Sequence, residues 1–164
     1  MKRLFIFLLC LVWICTIYAQ IQTEIMGCTL GQSSKSFVEQ SIKSQGRVLE
    51  KCNEFGVYPY ATFYDIKDDI NFEGIIWDYA RIRFIDGKFA SILFHKDRPS
   101  KETYEKLKNT LINKYRKYQV DKYKKYQVRD NNPLFEDQAT VLDIGGFPNG
   151  HINLIYYNKR LYGY

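Results

Sequence analysis

Ile75-Ile76-Trp77-Asp78-Tyr79-Ala80-Arg81-Ile82-Arg83-Phe84-Ile85, then Asp86-Gly87, then Lys88-Phe89-Ala90-Ser91-Ile92-Leu93-Phe94-His95-Lys96: this run decides the fold. Asp-Gly between two β-prone arms predicts a hairpin, because a two-residue type I′ turn needs φ > 0 at both central residues. Side chains alternate across a strand. In the first arm that places Ile76, Ala80, Ile82 and Phe84 on one face and Trp77, Tyr79, Arg81 and Arg83 on the other. The aliphatic face is expected on a core roofed by helices, with the arginines toward water.

Outward from that hairpin, two helices are predicted. Ser33 or Ser34 can cap the first, which carries Phe37, Val38, Ser41 and Ile42 on one stripe and Gly46 as the residue that ends it. The second opens at Asp97-Arg98-Pro99-Ser100-Lys101-Glu102 and keeps Tyr104, Leu107, Leu111, Ile112, Tyr115 and Tyr118 at helical spacing for about five turns. Strands are predicted near 47–54, 58–66, 140–144 and 151–157. The sum is an α+β domain with a mostly antiparallel sheet of about six strands and two helices packed on one face.

The chain begins with Lys2 and Arg3, an apolar run from Leu4 to Ile14, and Ile17-Tyr18-Ala19. This pattern predicts an export signal over 1–19, cut after Ala19, with a single domain over 20–164. The rival reading, a membrane anchor, needs about 20 apolar residues, more than the run supplies. Lipid attachment at Cys10 or Cys15 is disfavoured because bulky Leu9 and Ile14 precede them. The whole chain carries 24 basic and 18 acidic residues, net +6. Without Lys2 and Arg3 the balance falls to +4, too mild for a polyanion binder by charge alone.

Export leaves Cys28 and Cys52, an even pair that predicts a disulfide worth roughly 3 kcal/mol in the chain-entropy model. Two buried free thiols are the alternative. Downstream, Lys114-Tyr115-Arg116-Lys117-Tyr118-Gln119-Val120 is followed by Lys122-Tyr123-Lys124-Lys125-Tyr126-Gln127-Val128, a direct repeat with a period of eight. Interleaved Lys and Tyr make a candidate patch for an anionic polymer or lipid headgroup. The plainer reading is a duplication that lengthens a helix end. Export argues against nucleic acid as the partner.

Chemistry is sparse. His95 and His151 are the two histidines, each at a predicted strand end, and no nucleophile elbow, His-Glu-x-x-His or Cys-x-x-Cys accompanies them. No catalytic residue, metal ligand or cofactor is assigned. Asp65, Asp69, Asn71 and Glu73 alternate but lack the mid-loop Gly and terminal Glu of an EF-hand. Asp65, Glu73, Asp78 and Asp143 could supply paired carboxylates for an envelope hydrolase with a noncontiguous His and carboxylate site. An exposed row drawn from Trp77, Tyr79, Tyr60 or Tyr64 would instead make a binding surface.

Met26-Gly27-Cys28-Thr29-Leu30-Gly31-Gln32-Ser33, followed by Phe37 or Val38 and Ile42, resembles the entry motif of small exported bacterial proteins of the Bacteroidetes type. These are loosely similar to the group of the outer-membrane assembly lipoprotein BamE and the β-lactamase inhibitor protein. In that group the motif opens a helix that packs on an antiparallel sheet. This chain departs from it in lacking a lipobox, a second short helix and a tandem repeat, so no functional residue carries over. The resemblance implies a non-catalytic role, periplasmic or secreted, in binding a protein or an envelope polymer.

Overall fold

The computed structural model describes residues 20–52, 60–126, 132–146 and 149–163, the side chain of Tyr123 excepted. The expected leader, residues 1–19, lies outside the described residues. So do Gln127 and Val128, which end the second copy of the repeat. Two strands, β1 (Glu24–Ile25) and β2 (Cys28–Thr29), precede helix α1 (Lys35–Ser44). Then come β3 (Glu50–Cys52), β4 (Ala61–Ile66), β5 (Ile70–Phe72), β6 (Ile75–Trp77), β7 (Tyr79–Ile85) and β8 (Lys88–Asp97). Helix α2 (Lys101–Tyr115), strand β9 (Gln119–Val120), helix α3 (Lys122–Tyr126), β10 (Leu134–Glu136), β11 (Thr140–Gly145) and β12 (His151–Asn158) complete the order.

The central hairpin forms as the Asp-Gly pair demands. Asp86 has φ 49° and Gly87 φ 70°, and β7 pairs with β8 up to Ile85 against Lys88. The same device recurs at Met26-Gly27 between β1 and β2, and at Glu73-Gly74 between β5 and β6, again with both φ values positive. The main sheet is antiparallel throughout, in the order β3-β4-β7-β8-β12-β11-β10-β9. Among the described residues it therefore has eight strands, not about six. The additional pairing comes from β9 and β10, two- and three-residue strands too short to leave a period in the sequence.

One face of this sheet carries the core. Ala80, Ile82 and Phe84 of β7 share it with Ile92 and Phe94 of β8, and with Ile152, Leu154 and Tyr156 of β12. Val38 and Ile42 of α1 and Tyr104, Leu107, Leu111 and Tyr115 of α2 belong to the same cluster. Each such buried aliphatic side chain stabilises the fold by about 1.5–3 kcal/mol. The cover is not two helices alone. The β5–β6 hairpin lies on the core face too, where Phe72 stacks on Phe94 with ring centroids 4.4 Å apart and meets Tyr156 edge-on at 5.8 Å.

That hairpin corrects the expected alternation of the central stretch. Trp77 is fully buried against Phe94 and donates its indole N–H to Phe72 O at 2.9 Å, while Ile76 is 55 % exposed. The two residues have exchanged faces relative to the period-two reading. The cause is Asp78, which separates β6 from β7. Its N–H donates to His95 O at 2.9 Å, and its carboxylate accepts from Asp97 N at 2.7 Å and from the Lys96 ammonium. Strand alternation restarts beyond that corner.

Ser34 caps α1 by accepting from Phe37 N at 3.3 Å, and Ser100 caps α2 by accepting from Thr103 N at 3.0 Å. Helix α2 ends at Tyr115, four residues after Leu111, and the chain passes through a 3₁₀ turn (Arg116–Tyr118) into β9. The repeat thus does not prolong the helix. Cys28 and Cys52 are both free thiols, so the expected disulfide is absent. Cys28 lies in the core cluster beneath α1. Cys52 pairs with Phe63 on the opposite face of the sheet, beside Asp65 and Arg81. A bridge would have to pass through the sheet. Among the described residues no helix is long and apolar enough to cross a membrane.

Candidate functional site

The four carboxylates considered for catalysis are each held by a different cation. Asp65 takes a bidentate Arg81, with Nε at 2.7 Å and Nη2 at 3.0 Å. Glu73 takes Lys114 at 2.7 Å, Asp78 takes Lys96, and Asp143 takes Lys122 at 2.6 Å. For Asp78, burial pushes the carboxyl up, but the hydrogen bonds from Lys96 and Asp97 N–H outweigh it and hold it below the ordinary value. An acid and a base at controlled separation do not emerge from this pairing. Among the described residues no group of three His, Cys, Asp or Glu side chains is placed to hold a metal ion.

The histidines do meet. His95 and His151 stack with ring centroids 5.5 Å apart, and Tyr79 covers the His95 ring at 4.7 Å. Both ring nitrogens of His95 are engaged, Nδ1 with Asn153 Oδ1 at 2.7 Å and Nε2 with Asp97 Oδ1 at 3.0 Å. No ring nitrogen of His95 is left to face a substrate.

The basic repeat is divided by the fold. Tyr115 is buried in the core at 5.9 Å from Phe135. Lys114 and Lys122 are spent on Glu73 and Asp143, and Lys125 on Glu136, which Tyr126 also reaches through its hydroxyl. Lys124 faces Asp121 at 3.8 Å, and Arg116 is exposed. Lys117 and Tyr118 follow Arg116 in the 3₁₀ turn. The Lys117 ammonium lies 4.7 Å from the centre of the Tyr118 ring, and both line a cavity. The expected aromatic row does not assemble either. Trp77 and Tyr64 are buried, Tyr79 is half-buried under His95, and Tyr60 is 78 % exposed beyond the start of β4.

What the register builds instead is a mixed surface on the face opposite the core. Leu93 of β8 and Ile155 of β12 lie directly opposite each other there and are half-buried. Arg81 flanks Leu93 and Asp143 flanks Ile155 in the same row. In the next row Arg83 lies over Phe63 at 4.4 Å and donates to the Tyr162 hydroxyl at 2.9 Å, which also bonds Ser91 at 2.8 Å. Tyr157 packs on Tyr162 at 5.2 Å. Among the described residues, α3 reaches this face at Asp143 and the C-terminal turn reaches it at Tyr162.

A second feature is a polar groove at one end of the sheet. One part, about 630 Å³, lies between Gln20, Thr23, Lys117, Tyr118 and the 137–139 turn. The other, about 340 Å³, runs on past Gly31, Gln32 and Arg160, and the two share Thr23, Gln138 and Ala139. Its walls are cross-tied by the backbone. Ile21 N–H donates to Asp137 Oδ2 at 3.0 Å, Leu30 N to Thr23 O at 2.9 Å, and Lys159 N to Ala139 O at 2.9 Å. The sequence carried no advance signal for this groove, since its parts come from five separated segments. The return of Tyr162 onto β7 and β8 was likewise unreadable. No family model, no curated protein and no solved structure matches this chain.

Proposed function

We propose that the chain is an exported, periplasmic or secreted, non-catalytic binding module of the bacterial cell envelope that docks a protein partner on the outer face of its sheet. The observation that carries this is the Leu93–Ile155 centre framed by Arg81, Arg83, Tyr157 and Tyr162. An apolar centre with Tyr and Arg around it has the composition of protein-recognition surfaces. The alternative, an envelope hydrolase, would need a free base beside a free carboxylate. His95 is clamped at both nitrogens and the four carboxylates are ion-paired.

The test is capture from the native envelope with the chain purified from its exporting host. A Leu93→Thr, Ile155→Thr double variant should keep the fold and melt only a few degrees lower, because both half-buried side chains lie on the outer face and threonine suits a strand. It should lose the partner that the parent retains. Retention of the same partner by both proteins would remove the outer face from consideration. The mass of the exported chain reads the leader directly, since cleavage after Ala19 leaves Gln20 first.

A further inference from the structure

We propose that Gln20 is a modification site: once the leader is cut after Ala19, its side chain closes on its own α-amine to a pyroglutamyl ring. This rests on the exported reading above, since the Gln20 nitrogen becomes a free amine only through that cut. It goes beyond that reading in naming a covalent change that export itself does not require.

The chemistry is internal to one residue. The α-nitrogen of Gln20 attacks its side-chain Cδ, and a lactam forms. The bond made is Nα–Cδ, and the bond broken is Cδ–Nε2. The amide nitrogen leaves as ammonia, carrying a proton from the amine. Nothing is oxidised or reduced, and no co-reactant enters. Before the cut the same nitrogen is a peptide amide and is not a nucleophile.

The fold leaves this residue outside and holds its successor. Gln20 is exposed, whereas Ile21 is 1 % exposed and belongs to the core cluster. Ile21 N–H donates to Asp137 Oδ2 at 3.0 Å. Further in, Thr23 O accepts from Leu30 N at 2.9 Å. The chain is thus fixed from Ile21 inward. Ring closure turns only side-chain bonds of Gln20, so the tie from Ile21 to Asp137 stays in place. Room is available, because Gln20 lines the part of the groove of about 630 Å³. Gln22 has the same side chain, but its amide donates to Glu24 O at 2.7 Å and its backbone lies past the buried Ile21. The ring removes the α-ammonium charge and leaves no free amine. An aminopeptidase needs that amine, so the terminus is closed chemically at Gln20 and sterically at Ile21.

Intact mass and Edman degradation of the chain purified from its exporting host test this. The mass should be that of residues 20–164 less one ammonia, and Edman degradation should release no first residue. Pyroglutamyl peptidase acting on the denatured chain should lift the block and make Ile21 readable. Gln20→Ala should be cut at the same place, lose no ammonia and read alanine first. A chain of full mass, readable from Gln20, would overturn the proposal and leave export standing. A mass that includes residues 1–19 would overturn export and the ring with it. A fusion protein whose proteolytic release puts Gln20 first separates the chemistry from export. Folded at neutral pH, the released chain should lose one ammonia on standing as fast as it does in urea, because closure lies outside the anchored backbone. A folded chain that keeps its ammonia while the unfolded one loses it would overturn the proposal.

Discussion

Glu136 carries two lysines, Lys125 from α3 and Lys159 from the end of β12, and its side chain is 7 % exposed. Burial alone would raise its carboxyl, but the two ammonium groups overcome that and hold it below the ordinary glutamate value. A carboxyl depressed in the folded state adds stability that is complete above its unfolded pKa and drains as pH falls through the folded one. The melting temperature should therefore fall on acidification from about pH 5 to pH 3. Glu136→Gln should flatten part of that decline and cost about 2 kcal/mol at neutral pH, read by urea unfolding. Gly31 is the second position where a single residue decides. Its φ is +78°, and a Cβ there would stand 2.4 Å from the Asn158 amide nitrogen. The Asn158 side chain is not free to leave, because its Oδ1 accepts from Leu161 N at 3.1 Å. Gly31→Ala should cost about 2 kcal/mol or more by thermal unfolding. These residues could not have been singled out from sequence. Glu136 owes its setting to lysines 11 and 23 residues away, and Gly31 to a turn more than a hundred residues later.

At the scale of elements, the β5–β6 hairpin supplies what the two longer helices leave uncovered. Trp77 anchors it, and Trp13 of the expected leader is the other tryptophan of the chain. Trp77→Ala should cost about 3–5 kcal/mol, since a large ring and its bond to Phe72 O are lost together. In the exported chain, Trp77 fluorescence should be blue-shifted and resist acrylamide. An emission maximum at the wavelength of free tryptophan would contradict the burial. Elements with a local cause were legible in advance: the Asp-Gly hairpin, a serine cap on α1 from the Ser33-Ser34 pair, the start of α2, and its apolar stripe as far as Tyr115. What failed was the side of the sheet at Ile76 and Trp77. Alternation is a local rule, and the corner at Asp78 is made by hydrogen bonds to a strand nearly twenty residues on. Strands β9 and β10 were missed for the same reason, since their partners rather than their composition make them strands.

For the whole molecule, the two sides of the sheet have separate duties. Helices α1 and α2 and the β5–β6 hairpin close one side over the core, and the other bears the mixed row Asp65, Arg81, Leu93, Ile155 and Asp143, reached by α3. Cys28 and Cys52 are kept apart by that division. Cys52 is pushed up to about 11, first by burial and then by Asp65 beside it, and Cys28 is also raised, chiefly by burial. Both should react slowly with a disulfide reagent at neutral pH in the folded chain and promptly in denaturant. Reductant should leave the melting temperature unchanged. A drop of several degrees on reduction would mean that a bridge exists after all. The candidate patch fared as the cysteines did: composition nominated Lys114 to Tyr126, and only the assembled sheet sends Lys114, Lys122 and Lys125 to three different carboxylates and Tyr115 into the core.

At its β9 end the main sheet stops itself. Among the described residues that outermost strand is two residues long. A neighbouring copy seeking to extend the ladder there would find only a handful of open donors and acceptors. Crowded in solution, such chains gain little from adding strands at that rim.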